Sequence, residues 1–237
     1  TDRPGPGEAD LLLVDVGQGL ALAVLTRQHV LLYDAGPAPP RGMDFGEAAV
    51  LPALRAQGVR TIDTLVLSHG DNDHAGGAEA VRAGLPVGRT FAPEAWARPG
   101  MRPCLAGQGW HWEGVRFTWL HPTPFFPYLR NDSSCVLRIE TAGASALLPG
   151  DIGRHVEARL ARHWRDLQAG GQGLQHIAQG AGWQRDKNQL ALGQGGGQIG
   201  DRMDAWVNLD AFQVTRVFPL AAHRLGLGGV AQVGVGR

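Results

Sequence analysis

No apolar run in this chain approaches the roughly 18 residues that a membrane-spanning helix needs. None of the chain as given is therefore expected to cross a bilayer. The N-terminus, Thr1-Asp2-Arg3-Pro4-Gly5-Pro6-Gly7, has no charged-then-apolar leader pattern and no starting Met, and residues 1–8 read as a linker or cut end. There is no excess of either charge: 22 Lys plus Arg balance 22 Asp plus Glu, so net charge gives no argument for a nucleic-acid partner and none against a local basic patch. Cysteine is scarce, with only Cys104 and Cys135, which allows one disulfide or two buried thiols and by itself fixes no redox compartment. The last third lacks even more. Residues 169–237 contain no Glu and a single lysine, Lys187, among many glycines and glutamines. Such a segment cannot easily offset its ordering entropy, and it reads either as a flexible, disordered tail or as a shifted reading frame.

What is present lies mostly before residue 168. The chain is 237 residues long and 43% hydrophobic, enough for one large domain or one domain plus an appendage. Apolar runs punctuated by turn residues predict strands over 9–15, 20–25, 29–33, 63–68, 87–91, 110–112, 115–120, 134–140 and 144–148. Helical spacing predicts helices over 46–57 (with Pro52 near its start), 78–83 and 153–167, and residues 92–109 read as irregular. Alternation of this kind predicts a layered α/β domain with mixed sheets over residues 9–168.

The chemistry is concentrated in Ser68-His69-Gly70-Asp71-Asn72-Asp73-His74-Ala75-Gly76-Gly77, directly after the apolar run Leu65-Val66-Leu67. Asp, Asn and Gly also build ordinary turns, but a turn needs neither histidine. Imidazole nitrogen and carboxylate oxygen both bind divalent metals at about 2.0–2.2 Å. Alternating donors in one loop can serve two ions about 3.5–4 Å apart, the arrangement that clamps the attacking and leaving oxygens of a displacement. Asp151, in a Pro-Gly-Asp corner after an apolar run, is a candidate bridging ligand, and equally a candidate N-cap for the helix starting near residue 153.

Five segments in order carry a resemblance: Asp15-Val16-Gly17-Gln18-Gly19, Tyr33-Asp34-Ala35-Gly36, the loop from Ser68 to Gly77, Asn131-Asp132-Ser133-Ser134-Cys135-Val136-Leu137, and Leu148-Pro149-Gly150-Asp151. Together they resemble the metallo-β-lactamase-like domain of the ComEC family, the competence DNA-uptake channel proteins. The resemblance implies an αββα sandwich, incomplete here in its C-terminal half. It implies a metal set of His69, Asp71, Asp73, His74 and Asp151, with Asp151 bridging, and it assigns catalytic work to Asp73 and Asp15. It places Asn131 and Ser134 near substrate. It implies two divalent ions: Mn, Zn or Mg. Asp71 stands where wider metallo-β-lactamase enzymes carry His, and the extra oxygen favours harder ions.

The implied reaction is hydrolysis of DNA phosphodiesters by metal-bound hydroxide, with single-stranded DNA as partner. The domain would belong to an integral membrane protein, beside its channel portion. It would sit on the periplasmic or extracytoplasmic face of the inner membrane, where a Cys104–Cys135 disulfide is permitted.

One departure stands out. The family supplies a further His in a His-His-Gly-Ser stretch, and this chain has none; His176 and His223 lie in other surroundings. His155, four residues after Asp151, is the nearest substitute in sequence. The expectation is weak metal binding and reduced stability. The competing functions are a non-catalytic or inactivated DNA-binding module and a hydrolase of small phosphodiesters or esters.

Overall fold

A computed structural model describes residues 3–169, 182–184, 189–191 and 212–217. Two sheets face one another. The first contains β1 (Ala9–Val14), β2 (Leu22–Leu25), β3 (Val30–Tyr33), β4 (Ile62–Val66), β5 (Val87–Ala92) and β6 (Met101–Pro103) in that order. The second runs β10 (Ser145–Leu148), β9 (Val136–Glu140), β8 (Val115–His121), β7 (Gly109–Trp112). Strands β1 to β3 are antiparallel, while β3 to β6 are parallel. The late strand Phe212–Val217 pairs parallel with β1, and Gly182–Gln184 pairs with Gln189–Ala191. The 92–109 stretch, expected to be irregular, contributes β6. Its three residues are too few to register as an apolar run, and pairing with β5 supplies the order.

Strand alternation builds the layers. In β3, Leu31 and Tyr33 face the second sheet, while Val30 and Leu32 face the helices. The inter-sheet core joins Leu11, Val24, Tyr33 and Val66 to Val115, Phe117, Trp119, Leu137 and Ile139. The first outer layer packs Val50, Leu51, Leu54 and Val81 on the first sheet, from a π turn at Gly46–Val50, α1 (Leu51–Ala56) and α3 (Ala78–Gly84). Pro52 sits early in α1, where its missing N–H costs least. The second outer layer is α4 (Arg154–Ala169), whose Val156 packs with Ile152 on Val136 of β9. The order is helix, sheet, sheet, helix: an αββα sandwich. No helix among the described residues is long and apolar enough to cross a membrane.

Glycine fixes one contact beneath the site. A Cβ on Gly77 would lie 2.3 Å from the Ala35 carbonyl oxygen and 2.7 Å from the Gly46 nitrogen. Both are backbone atoms that cannot step aside. Gly77→Ala is expected to destabilise the domain by about 1–3 kcal/mol or more through overpacking; urea unfolding measures it.

Candidate metal centre

The site forms where chain ends converge: after β1, β3, β4 and β10, and before β9. The Ser68–Gly77 segment leaves β4 and winds into a single helical turn, α2 (Asn72–Ala75). Backbone bonds seat it against neighbouring strand ends, from Leu20 N–H to the Asp73 carbonyl (3.1 Å) and from Ala35 N–H to the His74 carbonyl (2.8 Å).

His69, His74 and Asp151 each point one ligand atom into a common space, all within 4.8 Å of one another. Both histidines are buried, and Asp151 is half-buried. His74 Nε2 lies 3.4 Å from Asp151 Oδ1, and the two imidazole centroids are 4.3 Å apart. Behind them stands Asp34, fully buried and held at φ 60, a conformation uncommon outside glycine. Its Oδ1 accepts the Ser68 N–H at 2.7 Å. Its Oδ2 accepts the Ser68 hydroxyl at 2.7 Å and His74 Nδ1 at 2.8 Å.

These bonds fix the ring tautomers. The Ser68 hydroxyl spends its proton on Asp34, so it accepts from His69 Nδ1–H at 3.0 Å. Both rings therefore hold their Nδ1 protons inward. In the neutral rings each Nε2 lone pair faces the shared space, the outer-shell pattern of metal-binding histidines.

The two rings are shifted in opposite directions. Burial, reinforced by the charge on His74, lowers His69 below the ordinary histidine value, against the pull of Asp34, Asp151 and Asp71. Burial also disfavours a charged His74, but Asp34 and Asp151 outweigh it and push that ring up to about 11. A raised His74 contributes stability that is complete below the unfolded value near 6.5 and fades as pH rises toward 11. A lowered His69 contributes stability that is complete above about 6.5 and fades below it. Metal-free protein is therefore expected to melt highest near pH 6.5, with losses on both sides. A thermal scan in chelator across pH 5–10 checks this. A metal held through His74 Nε2 would displace the ring's proton there, so the alkaline slope should flatten when metal is present.

The remaining expected site residues occupy distinct places. Asp71 Oδ2 is 4.0 Å from His69 Nε2, and its carboxylate is held by Arg130 Nη2 at 3.1 and 3.2 Å. Asp73 is half-buried on α2 and lies outside the three-residue cluster. Asp15 accepts the Gly17 N–H at 3.0 Å and so shapes the turn after β1. Ser134 is fully buried; its hydroxyl donates to the Asn131 carbonyl at 2.7 Å and accepts Asp151 N–H at 3.2 Å. It stands behind the ligands, and Asn131 contributes a backbone carbonyl to hold it.

At the start of α4, Asp132 accepts Gly153 N–H at 2.7 Å through Oδ1 and meets His155 Nε2 at 3.2 Å through Oδ2. His155 is thereby directed to Asp132, away from the cluster. His176 and His223 lie outside the described residues. Cys104 and Cys135 are joined, with Cα atoms 5.8 Å apart. Asp34, though inside a quoted motif, drew no role from sequence; an acidic residue ending the wholly apolar Val30–Tyr33 strand was the available signal. Arg130 and Tyr128 carried none.

Buried imidazoles oriented by a carboxylate, meeting a half-exposed aspartate at the strand ends of a double-sheet sandwich, form a cluster that could hold a divalent metal. Residues 14–186 match the Metallo-beta-lactamase superfamily, and the chain belongs to it. Its relatives include Uncharacterized protein YcaI of Escherichia coli, 34% identical over 168 residues that make up 70% of this chain and 22% of that protein. Competence protein ComA of Neisseria gonorrhoeae is 39% identical over 153 residues, 65% of this chain and 21% of that one. Recombination protein 2 of Haemophilus influenzae is 36% identical over 151 residues, 63% of this chain and 19% of that one. The chain thus spans about a fifth of the length of these relatives. It is a metallo-β-lactamase domain with competence-protein relatives, as its motifs indicate.

Proposed function

We propose that this domain hydrolyses DNA phosphodiester bonds at a two-metal centre, as part of a longer DNA-uptake protein. The observation that carries the metal reading is the pair of Nε2 atoms aimed with Asp151 at one space while both Nδ1 atoms are tied back. Competence-protein relatives support DNA as the substrate. His69, His74 and Asp151 would hold the first ion, and Asp71 and Asp73 would complete the set. Two imidazoles with three carboxylates suit Zn²⁺ and, through the oxygens, Mn²⁺ or Mg²⁺. When bound, such ions lower the pKa of water and neutralise charge on a phosphate.

The chain's own residues do the rest. Asp34 and Ser68 hold protons at the two Nδ1 atoms and lock the rings. Ser134 orients Asp151 through its backbone. Asp15 fixes the turn facing α2. The proposed setting is the extracytoplasmic face of the inner membrane beside the channel portion of the parent protein, with single-stranded DNA as partner.

Mn²⁺-dependent cleavage of single-stranded DNA, lost in Asp73→Ala, is the expected result. Turnover of a small phosphodiester with no action on DNA would favour the small-substrate reading. Metal-independent DNA binding without cleavage would favour a non-catalytic module. Arg130 gives a second check. It is largely exposed, so Arg130→Ala should change stability by less than about 1 kcal/mol. Because the arginine competes for the Asp71 carboxylate, its removal should tighten metal binding, measured by calorimetric titration.

A further inference from the structure

Two loops meet directly above the metal-binding segment. Trp96 comes from the loop after β5, and Tyr128 from the loop after β8. Their rings lie 19° from parallel with centroids 6.5 Å apart, at the wide end of ordinary aromatic pairs. Both stand on Gly70, the residue after the ligand His69. The Tyr128 hydroxyl accepts Gly70 N–H at 2.9 Å. A Cβ on Gly70 would fall 2.4 Å from Trp96 Nε1 and 2.7 Å from the Tyr128 oxygen. The glycine thus permits an aromatic pair to stand upright against the metal loop. Both rings are half-exposed.

A cavity of about 270 Å³ opens beside Trp96 and reaches Gly70 and Asn72 on the metal loop. Arg98, Arg82 and Glu79 line it. The Arg98 guanidinium carbon is 5.4 Å from the Trp96 ring centroid. Arg82 donates from Nη2 to Thr90 at 2.9 Å, but its Nε is buried with no hydrogen-bond partner among the described residues. A buried guanidinium N–H without an acceptor is costly, and the same side chain lines the cavity.

We infer that the Trp96–Tyr128 pair is a stacking platform for a nucleobase of single-stranded DNA, with Arg82 and Arg98 taking the adjoining polar groups of the strand. This deepens the DNA reading above and rests on it. The chemistry separates a base from a bare phosphate: an aromatic pair offers a planar ring a stacking surface that a phosphate cannot use. Duplex DNA keeps its bases stacked on one another and cannot use the platform.

The test compares binding of a fluorescent oligothymidylate with an abasic strand of equal length and equal phosphate charge, by anisotropy on the chain in chelator. The intact strand should bind roughly 5-fold to 150-fold tighter, the range for a stacked base. Trp96→Ala should abolish that difference, and Trp96→Phe should keep much of it. Equal affinity for the two strands overturns the inference, and this arm needs no variant. So does a difference that survives in a folded Trp96→Ala protein, or no binding of either strand. Hydrolysis of bis(p-nitrophenyl) phosphate with Mn²⁺ is measured separately. Its absence removes the hydrolase reading while leaving the stacking result to stand alone.

Discussion

Asp34→Ala is expected to weaken divalent-metal binding by about 10–100-fold, the usual effect of losing a carboxylate behind a ligand histidine. It should also destabilise the metal-free domain by about 3–5 kcal/mol. Both effects follow from one carboxylate with no solvent exposure. It accepts three hydrogen bonds: the Ser68 amide, the Ser68 hydroxyl and His74 Nδ1. Alanine leaves all three donors buried with no acceptor, and strands the charge on His74. Asp34→Asn separates the contributions. It keeps a carbonyl oxygen for one donor but removes the negative charge that raises His74. That variant should show a shallower alkaline stability slope while staying folded, with Asp151 still raising the ring. NMR titration of the His74 ring and calorimetry with Zn²⁺ read the two consequences independently.

Reducing the Cys104–Cys135 bond is expected to cost about 3–4 kcal/mol, from the chain entropy of a loop spanning 31 residues. For a domain of this size that is about 10 °C in melting temperature. The cost should reach the site as well. Cys135 follows Ser134, its N–H donates to the Ser68 carbonyl at 2.9 Å, and its carbonyl accepts the buried Tyr33 hydroxyl at 2.7 Å. The bond therefore holds the start of β9 against the segment that carries His69. Cys104→Ser with Cys135→Ser should melt lower and bind metal more weakly than the oxidised parent. Differential scanning fluorimetry with and without reductant, at matched metal, checks both.

Except for β6, the succession of strands through β10 was legible because each run of apolar residues ends at a glycine or a short polar turn. The alternation of Leu31 and Tyr33 against Val30 and Leu32 even divides the two faces of β3. Asp151 could be read two ways from its neighbours, because a Gly-Asp corner before a helix suits a cap and a ligand equally; its place beside His69 and His74 comes from tertiary structure that no local pattern shows. The network in which Asp34 holds His74 directly and His69 through Ser68 joins the ends of two parallel strands, and it pairs Asp34 with residues 34 and 40 positions away along the chain. No local pattern encodes such a pairing. The Trp96–Tyr128 pair is hidden for the same reason, since 92–109 has no periodicity and Tyr128 lies in a Pro-rich loop. The one-turn helix α2 is masked by Asp, Asn and Gly, which favour turns, and its order comes from seating against Leu20 and Ala35.

The most direct measurement is calorimetric titration of Zn²⁺ into the oxidised chain and into a His69→Ala/His74→Ala double variant, in two buffers of different ionisation heat. A metal core made of His69, His74 and Asp151 requires saturable binding by the parent with release of about one proton at pH 7, and loss of that binding in the double variant. Equal affinity in the two proteins, at the same stoichiometry, would contradict it.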